Sequence, residues 1–130
     1  MCIREAIIAL SALDGLIATS WDLIVDPIMV HIIEVWVWET RDCIYGIPIS
    51  NFIGWFIVSF IITLTYRIIL LREGKRIDLT HLPAFIYMQL WLIMAVVALI
   101  NNRLDLIIIG SIAMNIVLLC YVLKISKKRS

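Results

Sequence analysis

Two carboxylates four residues apart stand in an otherwise apolar run, Trp21-Asp22-Leu23-Ile24-Val25-Asp26-Pro27. On a helix that persists to residue 26 they share one face. Ionisable groups within apolar, membrane-type segments are costly and mark functional sites by default. An apolar setting disfavours the charged form of a carboxyl, and so does a second carboxylate beside it. One of the pair is therefore expected to keep a proton near neutral pH, which is what a general acid needs. Asp22 and Asp26 are the candidate catalytic residues. A plainer reading competes for Asp26. Asp is a good N-cap, and Pro27 directly after it suits a first helical position. Asp22 would then face an aqueous crevice. Asp14 lies about two turns before Asp22, on roughly the same side. It either lines the same cavity as part of a substrate-binding surface or pairs with a polar group on another helix.

The other polar residues point to less. His31 and Glu34 lack a third and a fourth partner of metal-site spacing, and His81 falls in a separate loop. No metal site is expected. Cys2, Cys43 and Cys120 are far apart and form no C-x-x-C motif, so they read as small apolar residues. There is no glycine-rich phosphate loop, no G-x-S-x-G and no H-E-x-x-H, and no cofactor is expected. Trp21, Trp36, Trp38 and Trp55 have two readings. Tryptophan commonly anchors a chain at the membrane interface. Aromatic faces also attract cations, so the four residues can wall a site where a cation forms. Asn51 stands at the mouth of an apolar segment, just before Gly54 and Trp55. Gly54 would let a helix or a ligand come close. Asn115 lies within the last apolar segment and needs a partner there.

The elements that must position these residues are membrane helices. Of 130 residues, 63% are hydrophobic and 16% charged, and the mean hydropathy is +1.04. A soluble domain is usually about 45–50% apolar and about 25% charged. A fold this small leaves too much of its surface in water to hide the excess. A crossing takes about 20 mostly apolar residues. Segments 52–71, 83–100 and 106–123 qualify. The first third is too long for one straight crossing. Asp26-Pro27 predicts a break there. It divides a crossing over residues 6–25 from a short interfacial helix over residues 27–38. The expected fold is all-α: one domain over residues 1–130, a polytopic membrane helix bundle of about four transmembrane helices with a broken first helix.

Lysine and arginine near helix ends set the orientation. Arg67, Arg72, Lys75 and Arg76 fall on one side, with Lys124, Lys127, Lys128 and Arg129. Only Arg41 and Arg103 fall on the other. This predicts a multi-pass protein of the cytoplasmic membrane with both termini cytoplasmic. A net charge of +1 with no basic stripe gives nucleic acid no surface to bind. The expected partners are the lipid bilayer and a hydrophobic substrate.

The W-D-x-x-x-D-P run, Trp36-Val37-Trp38, and the run Tyr45-Gly46-Ile47-Pro48-Ile49-Ser50-Asn51-Phe52-Ile53-Gly54-Trp55 come in a recognisable order and spacing. Together they resemble the membrane carotenoid-biosynthesis protein family, which includes the carotenoid 1,2-hydratases and bisanhydrobacterioruberin hydratase. The resemblance covers about residues 13–67. It implies addition of water to the terminal isopropylidene double bond of a long polyene, giving a tertiary alcohol. Asp22 or Asp26 would give the proton. Trp21, Trp36, Trp38, Tyr45, Asn51, Trp55 and Asp14 would form the substrate site. Family members are about twice as long, with further helices ahead of the W-D-x-x-x-D-P segment. Three readings follow from that difference: a second membrane subunit carries those helices, a homo-oligomer replaces them, or the gene is a remnant. Two alternatives stand beside the hydratase. One is a cyclase or isomerase acting on another isoprenoid lipid. The other is a non-catalytic or partner-dependent membrane subunit.

Overall fold

The computed structural model describes residues 3–35, 37–39, 43–74 and 82–129, apart from the side chains of 82–84, 117, 118 and 120–129. Four helices make up the fold: α1 (Ile3–His31), α2 (Ile49–Arg72), α3 (Leu82–Ile100) and α4 (Leu104–Arg129). A small hairpin of β1 (Cys43–Ile44) and β2 (Ile47–Pro48) precedes α2. The class is all-α, as expected. The last three helices fall where the apolar segments place them, α2 and α4 running beyond the expected bounds at both ends and α3 starting one residue earlier.

The first third differs from expectation. No break occurs at Asp26-Pro27. α1 runs through Pro27 to His31. Residues 34, 35 and 37–39 carry no helix, so the separate short helix over 27–38 does not exist. Asp26 is accordingly no N-cap. The reason is position and packing. A proline in the last turns of a helix forfeits one backbone hydrogen bond and strains the residue before it. Here Pro27 is buried with Ile24 and Ile28, and Asp26 is tied by a side-chain hydrogen bond to α2. These contacts outweigh the local preference. The helix closes four residues later, where the N–H groups of Ile32 and Ile33 both donate to the Ile28 carbonyl. Glu34 then takes a positive φ of 56°.

α1 is the central helix and touches the other three. Its two sides differ in kind. Toward α3 and α4 it presents Ile24 and Ile28, fully buried with Ala98, Leu106 and Met114. Toward α2 it presents small and polar residues at spacings of three and four: Ser11, Gly15, Thr19, Asp22 and Asp26. Such a stripe lets two helices approach closely and hydrogen-bond across the seam. Gly15 packs so tightly on Phe56 that a Cβ at this position would lie 2.8 Å from its ring and 2.9 Å from its carbonyl oxygen. Thr19 Oγ1 donates to the Gly15 carbonyl at 2.9 Å and reaches the Phe52 carbonyl at 3.5 Å. On the opposite side Ser20 and Tyr87 hydroxyls meet at 2.6 Å, tying α1 to α3.

The outer faces of the bundle are apolar. Ile53, Ile57, Ile61 and Ile69 on α2, Phe85, Leu92 and Val96 on α3, and Ile108, Ile112 and Ile116 on α4 are all exposed. Asn115 is exposed on α4 as well. Among the described residues, α1 and α2 are long and apolar enough to cross a membrane. Shorter apolar helices cover 85–100 and 104–116.

Candidate active site between the first two helices

Because α1 persists through Pro27, Asp22 and Asp26 lie one above the other on the face that meets α2. Both are almost fully buried, at 3% and 5% exposure. Asn51, in the first turn of α2, fixes the pair. Its Nδ2 donates to Asp22 Oδ2 at 2.8 Å and to Asp26 Oδ2 at 2.7 Å. One amide has two N–H groups, and here each carboxyl takes one. The two carboxyl groups also lie in hydrogen-bonding contact with each other. No cation pairs with either of them among the described residues. α2 has no acidic residue in its own first turn. The carboxyls of α1 therefore stand beside the positive end of its dipole.

Asp26 of the pair, with Asn51, borders an apolar cleft. One part, of about 330 Å³, is lined by Asp26, Val37, Trp38, Asn51 and Trp55. An adjoining part, of about 420 Å³, is lined by Trp38, Ser50, Asn51, Gly54, Trp55 and Val58. Ser50, Gly54 and Val58 are four apart, so this part follows α2 along its axis. A Cβ at Gly54 would meet nothing within 4 Å, so the floor of the cleft is open there. Carboxyl groups at one end of an apolar, tryptophan-walled groove suit proton transfer to a hydrophobic chain.

The family model for carotenoid biosynthesis proteins matches residues 3–119. The chain belongs to the carotenoid biosynthesis protein family. The match reaches far beyond residues 13–67, where the motifs lie, and takes in α3 and most of α4. No curated protein and no solved structure matches the chain.

In this carotenoid biosynthesis protein the remaining candidate residues divide into three groups. Trp38 and Trp55 join Asn51 and Asp26 around the cleft. Trp36 lies outside the described residues, as do His81 and Arg41. Trp21 and Tyr45 pack against the Ile24–Ile28 core rather than lining either part of the cleft. Asp14 is elsewhere: it forms an ion pair with Arg67 of α2, at 2.5 Å. Arg67 Nη1 also donates to Ser11 Oγ at 3.1 Å. Of the two readings open for Asp14, the structure shows pairing with a polar group of another helix.

The hairpin was not foreseen from the sequence. Ile44 pairs with Ile47 across the two-residue turn Tyr45-Gly46, and both turn residues have positive φ, 53° and 78°. That is the turn whose twist matches a hairpin. Tyrosine is an uncommon residue for such a φ. His31 Nε2, at the end of α1, meets the Tyr45 carbonyl at 2.7 Å and holds the turn in place. The His31–Glu34 pair thus has no shared role: His31 pins the hairpin, and Glu34 serves the turn that ends α1. At the α3–α4 connection, Arg103 makes a forked contact with Asp105, two hydrogen bonds of 2.9 Å. The guanidinium holds the Asp105 carboxyl down to about 2.

Proposed function

We propose that this protein is a membrane enzyme that hydrates the terminal double bond of a carotenoid or related isoprenoid, with the Asp22–Asp26 pair as the acid. The observation that carries the reading is the pair itself. Two buried carboxyls with no cation are held by a single amide at the end of an apolar cleft. Carboxyls in mutual hydrogen-bonding contact need an O–H between them, and that proton is the one available for transfer. The alkene π electrons take it at the less substituted carbon. A tertiary cation forms at the other carbon. Trp38 and Trp55 wall the cleft there, and an aromatic ring attracts a cation. Water adds to the cation, and the carboxylate left by the first step takes a proton from the bound water. Hydrogen and hydroxyl have been added across the double bond, and the pair is restored. The chain of the substrate runs along α2 over Gly54, where the floor is open.

The membrane supplies the medium. A soluble protein rarely exposes a contiguous apolar patch of more than a few hundred Å², and here the outer faces of all four helices are apolar. Crossings over about residues 6–25, 52–71, 83–100 and 106–123, with both termini cytoplasmic, place basic residues on one side. The carboxyl pair and Trp38 and Trp55 then lie toward the outer side.

The test is product formation in isotopically labelled water. Membranes holding the chain are given a polyene with terminal isopropylidene groups. A labelled tertiary alcohol is expected, absent from Asp22→Asn and from Asp26→Asn. General acid–base groups contribute about 10²–10⁴-fold in rate. Full activity in both variants would sink the mechanism. A rearranged, unlabelled product would support a cyclase or isomerase using the same acid. If product forms only on co-expression with a second membrane protein, the chain is a partner-dependent subunit.

A further inference from the structure

The end of the α1–α2 pair remote from Asp22 and Asp26 carries a second cleft, of about 420 Å³. Its walls are aliphatic, with Ile8, Leu64 and Ile68 among them, and Arg4 and Arg72 stand at its rim. α1 and α2 run antiparallel, so the first turn of one and the last turn of the other bring these two arginines together. Both are exposed. Neither takes part in an ion pair or a side-chain hydrogen bond among the described residues. Glu5 and Glu73, at the same end, have partners of their own.

We propose that this cleft binds one anionic membrane phospholipid, its phosphate on Arg4 and Arg72 and an acyl chain along Ile8, Leu64 and Ile68. Charge complementarity selects the occupant. Arginine forks match phosphate oxygens, and a protein helix laid in the cleft would need carboxylates to face both. From Leu64 to Arg72 the wall spans about 12 Å of helix, enough to hold a good part of an acyl chain. A free phosphate would leave the aliphatic walls unfilled. Basic residues at the cytoplasmic ends of membrane helices meet a leaflet rich in anionic lipid. This end carries Arg4, Arg67 and Arg72. The inference rests on the membrane placement proposed above and is independent of the hydration chemistry. Resistance of the chain to alkaline extraction from membranes tests that placement separately.

The experiment is native mass spectrometry of the full chain in detergent, with phosphatidylglycerol and phosphatidylcholine of identical acyl chains in equal amounts. Retention of phosphatidylglycerol should exceed that of phosphatidylcholine by roughly tenfold. Arg4→Gln with Arg72→Gln should bring the two lipids level, and Arg4→Lys with Arg72→Lys should keep most of the preference. Ile68→Trp, which fills the groove, should lower retention of both. Equal retention by the unaltered chain would overturn the proposal, whatever the variants do. So would an undiminished preference in the glutamine double variant. Displacement of phosphatidylglycerol by an equal concentration of inorganic phosphate would show a phosphate site that does not hold lipid, and would overturn it too.

Discussion

The seam between α1 and α2 carries carboxylates at two places about two turns apart, and their surroundings differ. At one place Asp14 meets Arg67, and the guanidinium also donates to Ser11. At the other, Asp22 and Asp26 meet each other and a neutral amide. The first arrangement cancels charge, and its proton-accepting oxygens are engaged by a group that never gives a proton up. It joins two helices and borders neither part of the tryptophan cleft. The second has no cation beside it among the described residues, and a buried carboxylate without one is costly. Through Asp26 it borders the cleft. Side by side, they show that the partner an acidic residue meets on this seam sets its character.

Substitutions that exchange the properties of the two places should separate them. The largest effect is expected from Asn51→Ala, which removes the donor to both carboxyls. Hydration should fall by about 10²-fold or more, read from labelled alcohol formed per folded molecule. Gly54→Leu comes next. Its side chain would occupy the open floor of the cleft and should cut turnover of a long polyene by about tenfold. The thermal midpoint should stay near that of the unaltered chain, because nothing packs on this position. Asp14→Ala should act on stability. Its ion pair is partly exposed, with side chains 16% and 29% accessible. The cost should be about 2 kcal/mol, between the values for surface and buried pairs. Chemical unfolding would show it, and Asp22→Asn should cost less because its shape and an acceptor are kept. Gly15→Ala should also destabilise, by about 1–3 kcal/mol, since a Cβ has no room beside Phe56. The smallest effect belongs to Arg103–Asp105. A carboxyl lowered from 3.8 to about 2 stabilises the fold fully above the higher value and loses that contribution as pH falls toward the lower. Asp105→Asn should remove that contribution at neutral pH, a small loss of thermal stability because the pair is exposed, and the difference should vanish in acid.

Much of this was legible in the sequence where local signals and packing agree. Segments 52–71, 83–100 and 106–123 are long apolar runs with polar flanks, and helices occupy all three. The pairing of Asp22 and Asp26 followed from their spacing, provided the helix continued. Asp26-Pro27 argued locally that it stopped. The burial of Pro27 and the reach of Asn51 from another helix, 25 residues on, could not be seen in that dipeptide. Asp14 shows the same gap. Its spacing put it on the seam, but only the antiparallel register of α2 sets Arg67 opposite it. The hairpin lacked the usual Asn-Gly or Asp-Gly signal, and the His31–Tyr45 contact that holds it joins residues whose roles were read separately. Ser50 and Val58 were missed as cleft walls, although their spacing from Gly54 places them on one face.

The central claim is that Asp22 and Asp26 act as one acid. A double-substitution cycle on the hydration rate tests it most directly, with Asp22→Asn, Asp26→Asn and the two combined. Groups that work as a unit are strongly non-additive. The account predicts that either single change costs nearly as much as both together. Independent losses that multiply in the double variant would show two separate carboxyls and contradict it.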